Sequence, residues 1–183
     1  MEKKTWRQLT VWLHVITSVG WMGEALALFT LLAISRTTTD GAIRAAATSM
    51  AHEIDSLLLA PLANASAFTG FMLAAATAWG FTRHWWVLAK FAITLVQLHA
   101  GIFLLSGALR DSVVAAPTPP ALVAGTALMA SALAFQAWLS IAKPWGKART
   151  GAKLPVAPLP ALSLIVLVVQ LVRRRRELTA PRS

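Results

Sequence analysis

The chain has 183 residues, of which 57% are hydrophobic and only 13% charged, with a mean hydropathy of +0.63; a soluble domain of this size cannot cover so much apolar surface, whereas a bilayer requires it. Cysteine is absent, which excludes disulfides, thiolate metal sites, iron–sulfur ligation and covalent c-type haem attachment. The net charge of +10 falls mostly on Lys and Arg at the ends of apolar runs, where it anchors helices and meets anionic lipid, and no aromatic-interleaved basic groove points to nucleic acid.

The first apolar run covers residues 6–34. Lys3, Lys4 and Arg7 stand before it as in a signal peptide, but the run is far longer than the apolar core of one and carries His14 and Glu24, so it reads as a retained helix. Residues 35–41 form a polar loop in which Asp40 is the expected N-cap of the second helix. That helix, 42–79, begins Ala-rich and moderately amphipathic through Arg44, His52, Glu53 and Asp55 and then enters the membrane. Pro61 is predicted to kink it, freeing a carbonyl one turn earlier that Asn64 or Ser66 can help to satisfy.

A tight turn over residues 80–84 leads into the third helix, 85–109. Pro117, Pro119 and Pro120 punctuate the next loop, the fourth helix spans 121–142, and a basic loop follows with Lys143, Lys147, Arg149 and Lys153. The last apolar run, 161–172, is too short to span alone; a start at Pro158, tolerated in a first helical turn, gives a short fifth transmembrane helix over 158–176. The expected fold is therefore all-α: a single integral membrane domain over 1–183, an up-and-down helical bundle of four core transmembrane helices plus a short fifth.

Lys3, Lys4, Arg7, Arg83, Lys143, Lys147, Arg149 and Lys153 gather on the N-terminal side of this core, as do Trp6, Trp79, Trp85, Trp86, Trp138 and Trp145. Arg36, Arg44 and Arg110 lie opposite with Asp40, Glu53, Asp55 and Asp111. The positive-inside rule makes the N-terminal side cytoplasmic in a multi-pass cell-membrane protein. Arg173 to Arg176 run against it, because a spanning fifth helix puts them outside.

Ionisable groups inside apolar runs are costly and mark functional paths. At 1.5 Å per residue, His14 shares a depth with Lys90 on the third helix, while Glu24 and Gly20 bracket that of His99, and Asn64 maps near mid-bilayer. Trp21 follows two turns after His14 on the same side, and Gly20 and Gly23 leave room for a close neighbour or a flat ligand. Neutral imidazole is an axial haem ligand, and His14 with His99 is the best pair, although roughly 9 Å separates their depths. The bland reading of each histidine is a hydrogen-bonded packing residue, and that of Lys90 is a snorkelling interfacial lysine. Glu24 is expected to be a neutral acid or a partner of His99, and to carry protons to a redox site. His52 and Asp55 share a helix face at the outer mouth of the second helix, where weak divalent metal binding competes with a simple solvated helix end.

Leu13-His14-Val15 followed by Gly20-Trp21-Met22-Gly23 resembles the first helix of cytochrome-b-like membrane families, among them CopD-type copper-resistance proteins and the membrane-bound bacterial protoporphyrinogen oxidase. Over most of its length the chain also resembles an uncharacterised actinobacterial family of small integral membrane proteins, through Pro61-Leu62, Thr69-Gly70, Trp79-Gly80-Phe81, Arg83-His84-Trp85-Trp86-Val87 with Lys90, and Lys143-Pro144-Trp145-Gly146. The first resemblance implies a b-type haem, an oxidoreductase role and a quinone- or porphyrin-like partner. His14 would then be the principal iron ligand and His99 the second, Trp21 a cofactor contact, and Glu24 and Lys90 the proton or propionate groups. The alternative is a haem-free component, either a small copper-handling transport protein built on His52 and Asp55 or a structural subunit of a membrane partner.

Overall fold

No proline interrupts residues 2–37, and Glu2–Thr37 forms one helix of 36 residues, α1, about 54 Å long at the standard rise. The apolar bounds of 6–34 fall short at both ends because Lys3, Lys4 and Arg36, although charged, are good helix formers. The chain is seen here as a computed structural model that describes residues 2–77, 79–114 and 118–145. The expected fifth helix over 158–176, Arg173 to Arg176, and the loop residues Gly146, Lys147, Arg149 and Lys153 lie outside the described residues.

Asp40 ends the polar loop in an extended conformation, and its Oδ1 accepts from the N–H groups of Ala42 at 2.7 Å and Ile43 at 3.3 Å. This N-cap satisfies donors that the helix itself leaves free. Asp40→Ala is expected to lower stability by about 1 kcal/mol, readable as an earlier thermal transition in detergent.

The helix that follows, α2, comprises Gly41–Ile54, a π-helical turn Asp55–Leu59, and Ala60–Ala76. Ile54 and Ala60 keep right-handed helical angles on either side of the turn, so the rod is continuous. Pro61 cannot donate into the ladder, and widening the preceding turn is one way to absorb its ring. A π turn thus stands directly before Pro61, where the kink is expected. Asn64 donates to Ala60 O at 2.7 Å, and the Ser66 hydroxyl meets that of Ser18 on α1 at 2.7 Å.

Thr77 turns extended and Gly80 adopts φ 60, a left-handed angle that favours glycine. His84 then donates from Nδ1 to Trp79 O at 2.9 Å, closing the turn into α3. The second helix thus ends earlier than the expected residue 79. Helix α3 is likewise composite: Trp85–His99, a π segment Ala100–Leu105, and Ser106–Val114. Both the N–H and the hydroxyl of Ser106 bond Gly101 O, the hydroxyl at 2.9 Å, which supplies the wider turn with its partners. Helix α4, Pro120–Ala142, starts with proline in its first turn and stops at Lys143, which is left-handed (φ 44) and donates to Leu139 O at 3.1 Å.

Four stretches, one per helix, are long and apolar enough to cross a membrane, and the described residues contain no strand. The protein is a multi-pass helical membrane bundle. Bulky apolar side chains such as Leu26, Val96, Leu104, Leu128 and Ile141 face outward, as a lipid solvent allows. One end carries the exposed Trp6, Trp79, Trp85, Trp138 and Trp145 and is called the Trp end below. At the other end Ser35 bonds Thr48 at 2.8 Å and Thr118 at 2.7 Å, Arg36 donates to Thr118 O, and Arg44 donates to the carbonyls of Ser35 and Thr38. Arg44 thereby meets the carbonyl end of α1, where a cation is favoured. The core lies in two clusters, one around Trp21, Phe71 and Met129, the other around Leu28, Leu32 and Leu122.

Candidate functional site

Along α1, residues 7–8, 11, 14–15, 18 and 21–22 recur at helical spacing and line one wall of a groove of about 830 Å³ at the Trp end. Helices α2, α3 and α4 supply the other walls. The groove is open sideways, because Val11, Trp12, Val15 and Ile141 on its rim are exposed on the bundle's lipid-facing surface. Its volume matches that of sites for drug- or cofactor-sized ligands.

His14 is the feature of the α1 wall. Its Nδ1 lies 3.0 Å from Ser66 O and 3.1 Å from Thr69 Oγ1. A carbonyl only accepts, so Nδ1 carries the hydrogen and Nε2 keeps its lone pair. Nε2 makes no hydrogen bond among the described residues. Helix α2 permits this approach through Gly70, where a Cβ would stand 3.0 Å from His14 Cε1. Ser66, Thr69 and Gly70 are thus a small, polar stripe at helical spacing that receives the imidazole and, through Ser66, the hydroxyl of Ser18.

The opposite wall is polar. Lys90 is half-buried and donates to Ser140 Oγ at 2.6 Å rather than reaching away from the bundle, and Ser140 donates to Gln136 O at 3.0 Å. Thr94 donates to Gln136 Oε1 at 2.8 Å, Gln136 donates to Gln97 Oε1, and Gln97 donates to Met129 O at 3.0 Å. This ladder zips α3 to α4 and leaves Lys90, Thr94, Gln136 and Ser140 on the groove. Single-residue reading missed it because Thr, Gln and Ser in an apolar run look like tolerated polar residues until their partners are known.

His99 is not part of this site. It is exposed on the outside of the bundle, with its ring 4.9 Å from that of Phe103. Gln97 and Leu98 take the buried positions just before it, and the π segment begins just after it. The structure therefore does not bring the expected histidine pair together, and His99 does not partner Glu24. Gly23 also points into open space, whereas Gly20 packs against Leu62.

Glu24 and Asp55 meet elsewhere. Both are buried, at 4% and 8% exposure, and both line a small cavity of about 20 Å³ with Trp21, Gly101, Thr126 and Met129. Asp55 is thus no solvated helix end. The π turn carries it into the bundle, where Ser106 is its side-chain hydrogen-bond partner. Neither oxygen of Glu24 and not the Nε1 of Trp21 has a hydrogen-bond partner among the described residues, and the same holds for Nδ1 of His52. Trp21 borders both the small cavity and the groove. No group of three or more His, Asp or Glu side chains among the described residues is placed to hold a metal ion.

The chain matches no family model, no curated protein and no solved structure. The functional reading rests on this geometry.

Proposed function

We propose that the lateral groove is the binding site of a planar, amphiphilic redox ring, a b-type haem, held through Nε2 of His14. The carrying observation is the fixed tautomer: an imidazole whose Nδ1–H is held by the Ser66 carbonyl presents Nε2 as a ligand, the arrangement usual for metal-bound histidine. Other features fit the same group. Gly70 leaves a flat recess for the imidazole, Trp12, Phe71 and Phe91 give the groove aromatic surface, and Arg7 and Lys90 bring cations to meet acidic substituents. Bound there, a b-type haem supplies a one-electron couple. The chain's own residues orient the ring through His14, exclude water along the apolar α1 wall, and hold polar substituents on the Lys90–Ser140 side. The lateral opening suits a membrane-soluble partner of quinone or porphyrin type, for which the protein would act as a membrane oxidoreductase. By the positive-inside rule, Arg7, Arg83 and Lys143 assign the Trp end to the cytoplasm.

Protein expressed with haem in excess and purified in detergent is expected to show a Soret band and, on reduction, an α-band. Colourless, folded protein would remove this reading. The copper-handling alternative has less behind it, since His52 and Asp55 belong to no group of three or more such donors among the described residues.

Gly70 gives a graded check. Gly70→Ala requires the His14 ring to give by a few tenths of an ångström, whereas Gly70→Val drives it off its Ser66 anchor. The expected losses of haem affinity are small for alanine and about tenfold or more for valine, the latter equal to about 1.4 kcal/mol, measured by haemin titration.

A further inference from the structure

The acid pair lies apart from the groove, and nothing proposed above uses it. Glu24 on α1 and Asp55 on α2 face one cavity, and each is more than nine-tenths buried. Trp21 lines the same cavity, and neither Glu24 oxygen nor the Trp21 indole N–H has a protein partner among the described residues. A buried polar group left unpaired is strongly unfavourable, and more so at bilayer depth. Three such atoms on two residues that line one small void point to an occupant.

The void selects the occupant. Its volume of about 20 Å³ exceeds the roughly 10–15 Å³ that one water needs, and a water also requires two to four polar partners. Trp21 offers a donor, while Glu24 and Asp55 offer carboxyl groups. A metal cation would face the indole N–H end-on, which is repulsive, whereas a water accepts from it.

Asp55 adds a second clue. Ser106 is its hydrogen-bond partner, and the Ser106 hydroxyl also lies 2.9 Å from Gly101 O. Asp55 is thereby tied through Ser106 to the wide turn of α3. Both π segments contribute: one carries Asp55, the other Gly101 and Leu105, in keeping with the tendency of π turns to mark functional positions.

We propose that Glu24, Asp55 and Trp21 enclose one water molecule and share an exchangeable proton through it. One acid of the pair is a carboxyl and the other a carboxylate: the carboxyl gives its proton to the water while the water releases one to the carboxylate, so no charge is created beyond the pair. On α2, His52 also acts on Asp55; among the described residues α3 and α4 present Gly101, Leu105, Leu109, Leu122, Thr126 and Met129 to the cavity, none of them titratable. The site does not depend on what fills the groove, although Trp21 forms a common wall between them.

Infrared spectroscopy of the full-length, haem-free protein in detergent tests this. Wild type is expected to show a protonated-carboxyl C=O band that shifts in D2O, disappears or halves in Glu24→Gln and in Asp55→Asn, and moves but persists in Trp21→Phe. The amide variants keep size and hydrogen bonding, and circular dichroism checks that they fold. If one variant fails to fold, the other and the wild-type deuterium shift decide. Absence of such a band at every pH, or a band unchanged from wild type in both amide variants, overturns the proposal. Thermal stabilisation by sodium chloride but not by choline chloride, lost in Glu24→Gln, also overturns it and assigns the cavity to a sodium ion.

Discussion

His14→Ala is expected to remove nearly all bound haem when the protein is expressed with haem in excess. The imidazole is the one groove side chain whose geometry presents a nitrogen lone pair held in a fixed direction, by a 3.0 Å bond to Ser66 O. Its loss removes both the ligand bond and the ring that fills the recess at Gly70. The Soret absorbance per chain should fall at least about tenfold, a free-energy loss of about 1.4 kcal/mol or more. His99→Ala is expected to keep the wild-type spectrum, because His99 lies outside the bundle against Phe103. The opposite pattern, with His99 needed and His14 dispensable, would contradict the site.

The largest expected effect on stability is that of Trp21→Ala. Trp21 is 2% exposed and stands in the wall between the groove and the acid-lined cavity. Truncating a buried tryptophan costs about 3–5 kcal/mol in water-soluble cores, part of it transfer and part the void left behind. In a bilayer the lipid tails are as apolar as the side chain, so the transfer part is small and lost packing dominates. A loss near the low end, about 3 kcal/mol, is expected in an unfolding titration with a denaturing detergent. Trp21→Phe should lose far less, because a ring still separates the two spaces. Equal stability of Trp21→Ala and wild type would mean that the wall is not load-sharing.

The helical architecture was legible because apolar run length, Pro–Gly punctuation and terminal charge all report the same four spans. The site was legible in part. His14, Trp21 and Lys90 face the groove because α1 and the first part of α3 keep an undisturbed helical period. Depth alone matches His99 to His14 and Glu24, and depth does not say which way a side chain faces: Gln97 and Leu98 take the buried positions and leave His99 outside. Asp55 reads as a helix end at the outer mouth, whereas α2 runs on through it as a continuous rod and buries it. Pro61 signals trouble in α2 from sequence alone, but nothing of the kind marks the π segment of α3, whose partner is the Ser106 hydroxyl on Gly101 O. Gly70 carried a signal as part of a Ser-x-x-Thr-Gly stripe, but its use depends on which neighbour approaches.

Haemin titration of His14→Gly protein with and without added imidazole tests the central claim most directly. Glycine removes the side chain and leaves a hole shaped for free imidazole between α1 and Gly70. Wild type is expected to bind haem saturably with a histidine-ligated spectrum, His14→Gly to bind at least about tenfold more weakly, and imidazole to restore both affinity and spectrum. If His14→Gly binds haem as wild type does, or wild type binds none, the groove is not a haem site ligated by His14.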